Sequence, residues 1–157
     1  MKNLSNLFVC TILLGLLSSN VYGQDDAKML LINDAKKEAG EVTSDQLKEM
    51  IEDEKVIVLD VRESEQRAEG YLFNEFVSVN TISITRGNLE WEVLGKIQDK
   101  NSMIVTYCRN GGRGALAAQV LKKMGYKNAK NLQGGIDAWA KAGNPIKTGI
   151  GILKIAK

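Results

Sequence analysis

Two short runs constrain the fold of this chain more than any other feature: Val56-Ile57-Val58-Leu59 and Met103-Ile104-Val105-Thr106-Tyr107. Both are unbroken, rich in β-branched side chains and of strand length. A strand with one face in water alternates apolar and polar residues, whereas an unbroken run needs protein on both faces. Segments with helical spacing surround them, so the chain is predicted to be α/β, a largely parallel sheet with helices on both sides. Its 157 residues suit one domain with a single core. In such sheets ligands bind beyond the carboxyl ends of the strands. Two polar clusters fall there: Asp60-Val61-Arg62 after the first run, and Cys108 to Arg113 after the second.

The other elements follow from spacing and punctuation. Residues 24–40 are polar with a stripe of Met29, Leu30, Ile32 and Ala35, which predicts an amphipathic lead-in helix. Thr43-Ser44-Asp45 offers N-caps for a helix carrying Leu47, Met50 and Ile51. Ser64 to Gly70 reads as a short charged helix whose acids face solvent. Val77 to Ile84 reads as a strand with its exit, and Leu89 to Ile97 as a helix with Leu89, Val93, Leu94 and Ile97 on one side. Gly114 to Met124 is predicted helical and ended by Gly125. Ala129 to Leu132 is a further strand, and Ile136 to Ala142 a helix stopped by Gly143 and Pro145. The main domain is thus expected over residues 41–146, with 147–157 an unassigned tail. Trp139 is expected in the core, and Trp91 in the core or a pocket wall.

The first 23 residues read as a separate object. Lys2 supplies one positive charge, Leu7 to Leu17 is apolar throughout, and Val21 and Gly23 stand at the −3 and −1 positions of a cleavage site. This pattern predicts a secretory signal peptide. The apolar core is shorter than the roughly 20 residues that span a bilayer, which disfavours the alternative of a retained anchor. Cleavage would remove Lys2 and Cys10, leaving a net charge of +1 and Cys108 as the sole cysteine. Such an exported chain has no internal disulfide and, once cleaved, no membrane segment. Near-balanced charge gives no reason to expect a nucleic-acid partner. The chain has no histidine, which excludes Cys-His proteases, Ser-His-Asp hydrolases and the common zinc sites.

The stretch Tyr107-Cys108-Arg109-Asn110-Gly111-Gly112-Arg113-Gly114 places that cysteine on a glycine-rich loop between two arginines, where a strand enters a helix. Gly111, Gly112 and Gly114 free the backbone to curl with its N–H groups inward. The helix N-terminus adds partial positive charge, and Arg109 and Arg113 add two full charges, with Arg113 expected to fold back over the loop. The result is an anion cradle with a sulfur at its edge, and the same field stabilises a thiolate. A lone cysteine in an arbitrary chain is more often a packing residue. These neighbours instead fit a nucleophile facing an anion. Asp60 and Arg62 read first as a structural pair pinning the strand end beside the loop, and second as direct participants.

At this point the sequence resembles the single-domain rhodaneses, the sulfurtransferases, and specifically their exported bacterial members. Four segments in order carry the resemblance: Val58-Leu59-Asp60-Val61-Arg62-Glu63, Thr85-Arg86-Gly87-Asn88-Leu89-Glu90-Trp91, Cys108 to Arg113, and Leu132-Gln133-Gly134-Gly135-Ile136 with Trp139, Gly143 and Pro145. It covers Glu41 to Ile146. The family usually carries a histidine after the glycine near position 70; Tyr71 stands there in this chain.

The resemblance implies a three-layer fold with a five-stranded sheet, a bacterial periplasmic location and a persulfide mechanism. Cys108 would take sulfane sulfur from thiosulfate or a polysulfide and pass it to a thiophilic acceptor, a small thiol or a protein. Backbone N–H groups from Arg109 through Asn110, Gly111 and Gly112 to Gly114 would hold the persulfide. Arg113 and Arg109 would bind the donor's oxyanion, with Arg86 at the entrance. No metal or organic cofactor is implied. Two other readings use the same cradle. One is a sulfur carrier with little turnover. The other is a phosphatase or arsenate reductase, whose loops place five residues between cysteine and arginine where this chain has four. A regulatory domain that has lost its chemistry is disfavoured by the intact Cys108.

Overall fold

The structure is a computed structural model and describes residues 22–155. The predicted signal peptide lies outside the described residues except for Tyr22 and Gly23, which open the first helix, α1 (Tyr22–Ala39). Then follow β1 (Glu41–Val42), α2 (Ser44–Glu52), β2 (Ile57–Asp60), α3 (Ser64–Ala68), β3 (Tyr71–Leu72), β4 (Thr81–Ser83), a 3₁₀ turn (Arg86–Asn88) and α4 (Leu89–Lys96). The chain continues through β5 (Ile104–Tyr107), α5 (Gly112–Lys123), β6 (Ala129–Leu132), α6 (Gly135–Lys141), β7 (Ile146–Thr148) and β8 (Gly151–Leu153).

Five strands form one sheet in the order β1-β6-β5-β2-β4, every pair parallel. The two apolar runs, β2 and β5, are inner neighbours in register Val58 to Val105 and Asp60 to Tyr107. Strand alternation then sorts the side chains onto two faces. Leu59, Ile104 and Cys108 join Leu89 and Val93 of α4 and Ala117 and Leu121 of α5 in one core. Val58, Val105 and Tyr107 join Leu47 and Ile51 of α2 and Ile136 and Trp139 of α6 in the other. The expected three-layer architecture with a five-stranded sheet is therefore what the chain forms. Thr43 begins α2 as predicted: its hydroxyl accepts from the Gln46 N–H, and the Gln46 side chain accepts from the Thr43 N–H.

Three local readings are corrected, and the unassigned tail gains structure. Only the later half of the α1 stripe faces the core: Ala35 is buried and Ile32 half-buried, with Ala39 continuing that face, while Met29 and Leu30 are exposed. Only Thr81–Ser83 of the 77–84 stretch is strand. Trp91 is 86% exposed, because the buried positions of α4 are Leu89 and Val93, four residues apart, and Trp91 lies on the opposite side of the turn. The 147–157 tail contains a hairpin: β7 pairs antiparallel with β3 and with β8 to make a second, three-stranded sheet. Gly70 makes that docking possible. Its φ is +134°, and a Cβ there would lie 2.8 Å from Cγ2 of Ile146.

Candidate active site

Cys108 is the first residue beyond β5, on the α5 side of the sheet, and has no solvent-exposed surface. Its thiol is directed at Oδ1 of Asn110, 3.9 Å away. Gly111 takes φ +91° and caps α5, whose first intrahelical bond is Ala115 N–H to the Gly111 carbonyl at 2.9 Å. The amides of Gly112, Arg113 and Gly114 open the helix and have no carbonyl one turn back to meet. That of Gly112 leans toward Asn110 Oδ1 at 3.4 Å.

The loop is held from the far side by α6. The N–H groups of Ile136 and Asp137 donate to the carbonyls of Cys108 and Arg109 at 2.9 and 3.1 Å. A trans peptide points its N–H opposite to its C=O. Tying those carbonyls to α6 therefore turns the Arg109 and Asn110 amides away from it, toward the side that carries the sulfur. Gly134 and Gly135 permit this approach, with φ of +68° and +61°; a Cβ on Gly135 would sit 2.3 Å from the Cys108 oxygen. These two glycines shape the site, and the sequence shows them only as part of a family signature. Two consecutive glycines between a strand and a helix were the available signal. Gly114 has a packing role: a Cβ there would meet Asn131 Oδ1 at 2.3 Å.

α1 reaches the same loop. Cδ1 of Ile32 lies 3.2 Å from where a Cβ on Gly112 would stand, and Asn110 Oδ1 lies 3.7 Å from that point. Ile32 thus roofs the opening turn of α5, along which α1 packs.

Beneath the loop lies a buried polar network. Register places Asp60 beside Tyr107, whose hydroxyl donates to Asp60 Oδ2 at 2.7 Å. Arg62 closes a fork on the same carboxylate, Nε to Oδ1 at 2.9 Å and Nη2 to Oδ2 at 2.7 Å, and both residues are almost wholly buried. Burial works against the Arg62 charge, but hydrogen bonding and attraction to Asp60 outweigh it and hold the guanidinium above its usual range. Burial, with the Asp60 charge beside it, pushes the Tyr107 hydroxyl up, so it is a protonated donor. Arg62 also grips α3 and the turn after it, Nη1 to the Gln66 carbonyl at 3.0 Å and Nη2 to the Gly70 carbonyl at 2.7 Å. The pair thus ties the end of β2 to α3 and the turn that follows it.

The arginines are placed differently from expectation. Arg113 turns to α3, donating to the Gln66 side chain and standing 3.8 Å from Glu63. Arg109 pairs with Glu69. The acids that flank α3, Glu63 and Glu69, are therefore not simply a solvated face. Arg86 is held by Glu90 at 3.1 Å on the turn after β4, two strands from β5. A cavity of about 390 Å³ opens on the α6 side of Arg109, lined by Glu69, Ile136, Asp137 and Lys141.

A parallel sheet that delivers a free thiol to the amide end of a helix, on a loop flanked by arginines, defines an α/β domain centred on a cysteine loop. Residues 43–142 match the rhodanese-like domain family, and the chain belongs to it. A sulfurtransferase of Allochromatium vinosum is 32% identical over 108 residues, 68% of this chain and 92% of that protein. The thiosulfate sulfurtransferase GlpE of Actinobacillus succinogenes is 26% identical over 118 residues, 73% of this chain and 96% of that one. Among solved structures, a Rhodopseudomonas palustris protein of unknown function, described as a possible tyrosine phosphatase, superposes with a TM-score of 0.67 at 26% identity, covering 76% of this chain and 92% of its own. The chain is thus a transferase of the rhodanese type, concerned with sulfur transfer.

Proposed function

We propose that the protein moves sulfane sulfur from thiosulfate or a polysulfide to a thiophilic acceptor through a persulfide on Cys108. In the first half-reaction the Cys108 thiolate attacks the outer sulfur of the donor. An S–S bond forms to Cys108, the donor's own bond to that sulfur breaks, and sulfite or a shortened chain leaves with the electron pair. In the second the acceptor's nucleophile takes the outer sulfur and the thiolate is restored. No net oxidant or proton source is needed.

One observation carries this reading. The carbonyls of Cys108 and Arg109 are occupied by α6, so the adjoining amides and the opening turn of α5 face the side on which the sulfur sits. A terminal persulfide sulfur is an anion one atom wide, matched to a ring of amides. Four residues separate Cys108 from Arg113, a shorter span than the five of the phosphatase loops, which favours sulfur over a tetrahedral phosphate. The leader reading of residues 1–23 supports an exported, periplasmic protein.

The test is intact mass after brief anaerobic exposure to thiosulfate, and separately to polysulfide. The expected result is a gain of one sulfur, removed by cyanide and absent in Cys108→Ser, with the variant's folding transition retained. Wild-type uptake by Cys108→Ser, or no uptake by the native chain, would refute the mechanism.

A further inference from the structure

The sequence predicts a solvated face for α3, yet three side chains of this segment engage the two arginines of the active loop. Glu69 pairs with Arg109, while Gln66 accepts from Arg113 and Glu63 stands 3.8 Å from it. The contacts join residues 40 or more positions apart, so they are tertiary and not incidental to a local turn. Nor is α3 free to swing aside. Arg62, itself fixed by Asp60, is bonded to the carbonyls of Gln66 and Gly70, and Arg67 donates to the Arg62 carbonyl. The Cys108 sulfur of the same loop has no exposed surface.

We propose that Glu69 is a built-in competitor for the anionic sulfur donor: its carboxylate occupies, at Arg109, the place that the donor's charged end takes on binding. This rests on the sulfur-transfer reading of the loop. Arg109 and Glu69 are each about half exposed, with side-chain exposures of 48% and 55%, so water and ions reach the pair. An ion pair in that setting is weak and exchanges readily with an external anion. The exchange is selective. An oxyanion that forks the guanidinium replaces what it displaces, so the swap is nearly balanced. An uncharged ligand makes no demand on the guanidinium and leaves the pair in place, so it neither gains nor loses by Glu69. Glu69 therefore sets affinity by the ligand's charge, and α3 holds it at a fixed distance from the loop.

The experiment compares two alkylating probes that differ only in charge, iodoacetate and iodoacetamide, acting on Cys108 in the full chain. In each, the thiolate forms an S–C bond and iodide leaves. Glu69→Gln is compared with the native protein and with Glu65→Gln, a control on the same helix whose acid is bonded to Ser64. Glu69→Gln is expected to raise the iodoacetate-to-iodoacetamide rate ratio about two- to fivefold, the range of an exposed pair. It should lower KM for thiosulfate by a similar factor, and Glu65→Gln should change neither. An unchanged or lower ratio in Glu69→Gln would overturn the proposal, whatever the sulfurtransferase activity. A raised ratio with no sulfur gained on Cys108 by intact mass would instead refute the donor assignment.

Discussion

Gly135→Ala is the sharpest test of how the active loop is built. The native φ is +61°, and the new Cβ would lie 2.3 Å from the Cys108 oxygen and 2.5 Å from that of Arg109. A left-handed conformation costs an alanine about 1–2 kcal/mol. Carbon and oxygen need about 3.3 Å when they touch, so the loop must retreat by about 1 Å. That displacement stretches the bonds from Ile136 N–H to the Cys108 carbonyl and from Asp137 N–H to the Arg109 carbonyl, now 2.9 and 3.1 Å, out of range. Each is worth about 1 kcal/mol. The sum is about 3–4 kcal/mol, a large part of a stability that is about 5–15 kcal/mol for a domain. Urea denaturation measures the loss, and intact mass measures sulfur loading, which should also fall because the loop's amides are re-aimed. Gly95→Ala is the contrast. A Cβ there meets nothing within 4 Å, and the substitution should stabilise by about 0.5–1 kcal/mol. A Gly135→Ala loss below about 1 kcal/mol with normal loading would refute the account of the clamp.

Two further outcomes concern the network beneath the loop. Asp60→Ala leaves the Arg62 guanidinium buried without its partner and should cost about 3–5 kcal/mol in denaturant; a loss under about 1 kcal/mol would remove the network's structural role. Tyr107 binds its proton more tightly folded than unfolded, so its contribution is complete below the unfolded value of 10.0 and declines as pH rises above it. Stability of the native protein relative to Tyr107→Phe should therefore fall by about 1.4 kcal/mol per pH unit above that point. Parallel alkaline profiles for the two proteins would show that the hydroxyl is not held protonated.

The legible parts of this chain are those whose partners are close in sequence or whose burial is two-sided. β2 and β5 announce themselves because all their residues but the half-buried Ile57 are covered, leaving no polar alternation to confuse the pattern. The cysteine loop is legible because Cys108, its glycines and its arginines are contiguous. What the sequence hides is where the loop's groups point. The clamp comes from Ile136 and Asp137, and the acids on the arginines come from before β3; neither carries a local pattern that names its partner. Trp91 misleads because a large aromatic is usually buried, whereas the spacing of Leu89 and Val93 had already defined another face. The β7–β8 hairpin escapes notice because Ile150, Ile152 and Leu153 remain exposed, so no apolar face distinguishes it from a loop. β1, at two residues, is too short to have a period.

The absence of any exposed surface on Cys108 bears on how such a protein survives its own reagent. Two thiols couple only if their β-carbons come within about 4.5 Å. With no exposed surface on Cys108, two copies of this chain cannot meet on those terms without rearranging the loop on both molecules. Burial thus shuts this thiol to another protein's cysteine, and self-crosslinking is opposed by shape.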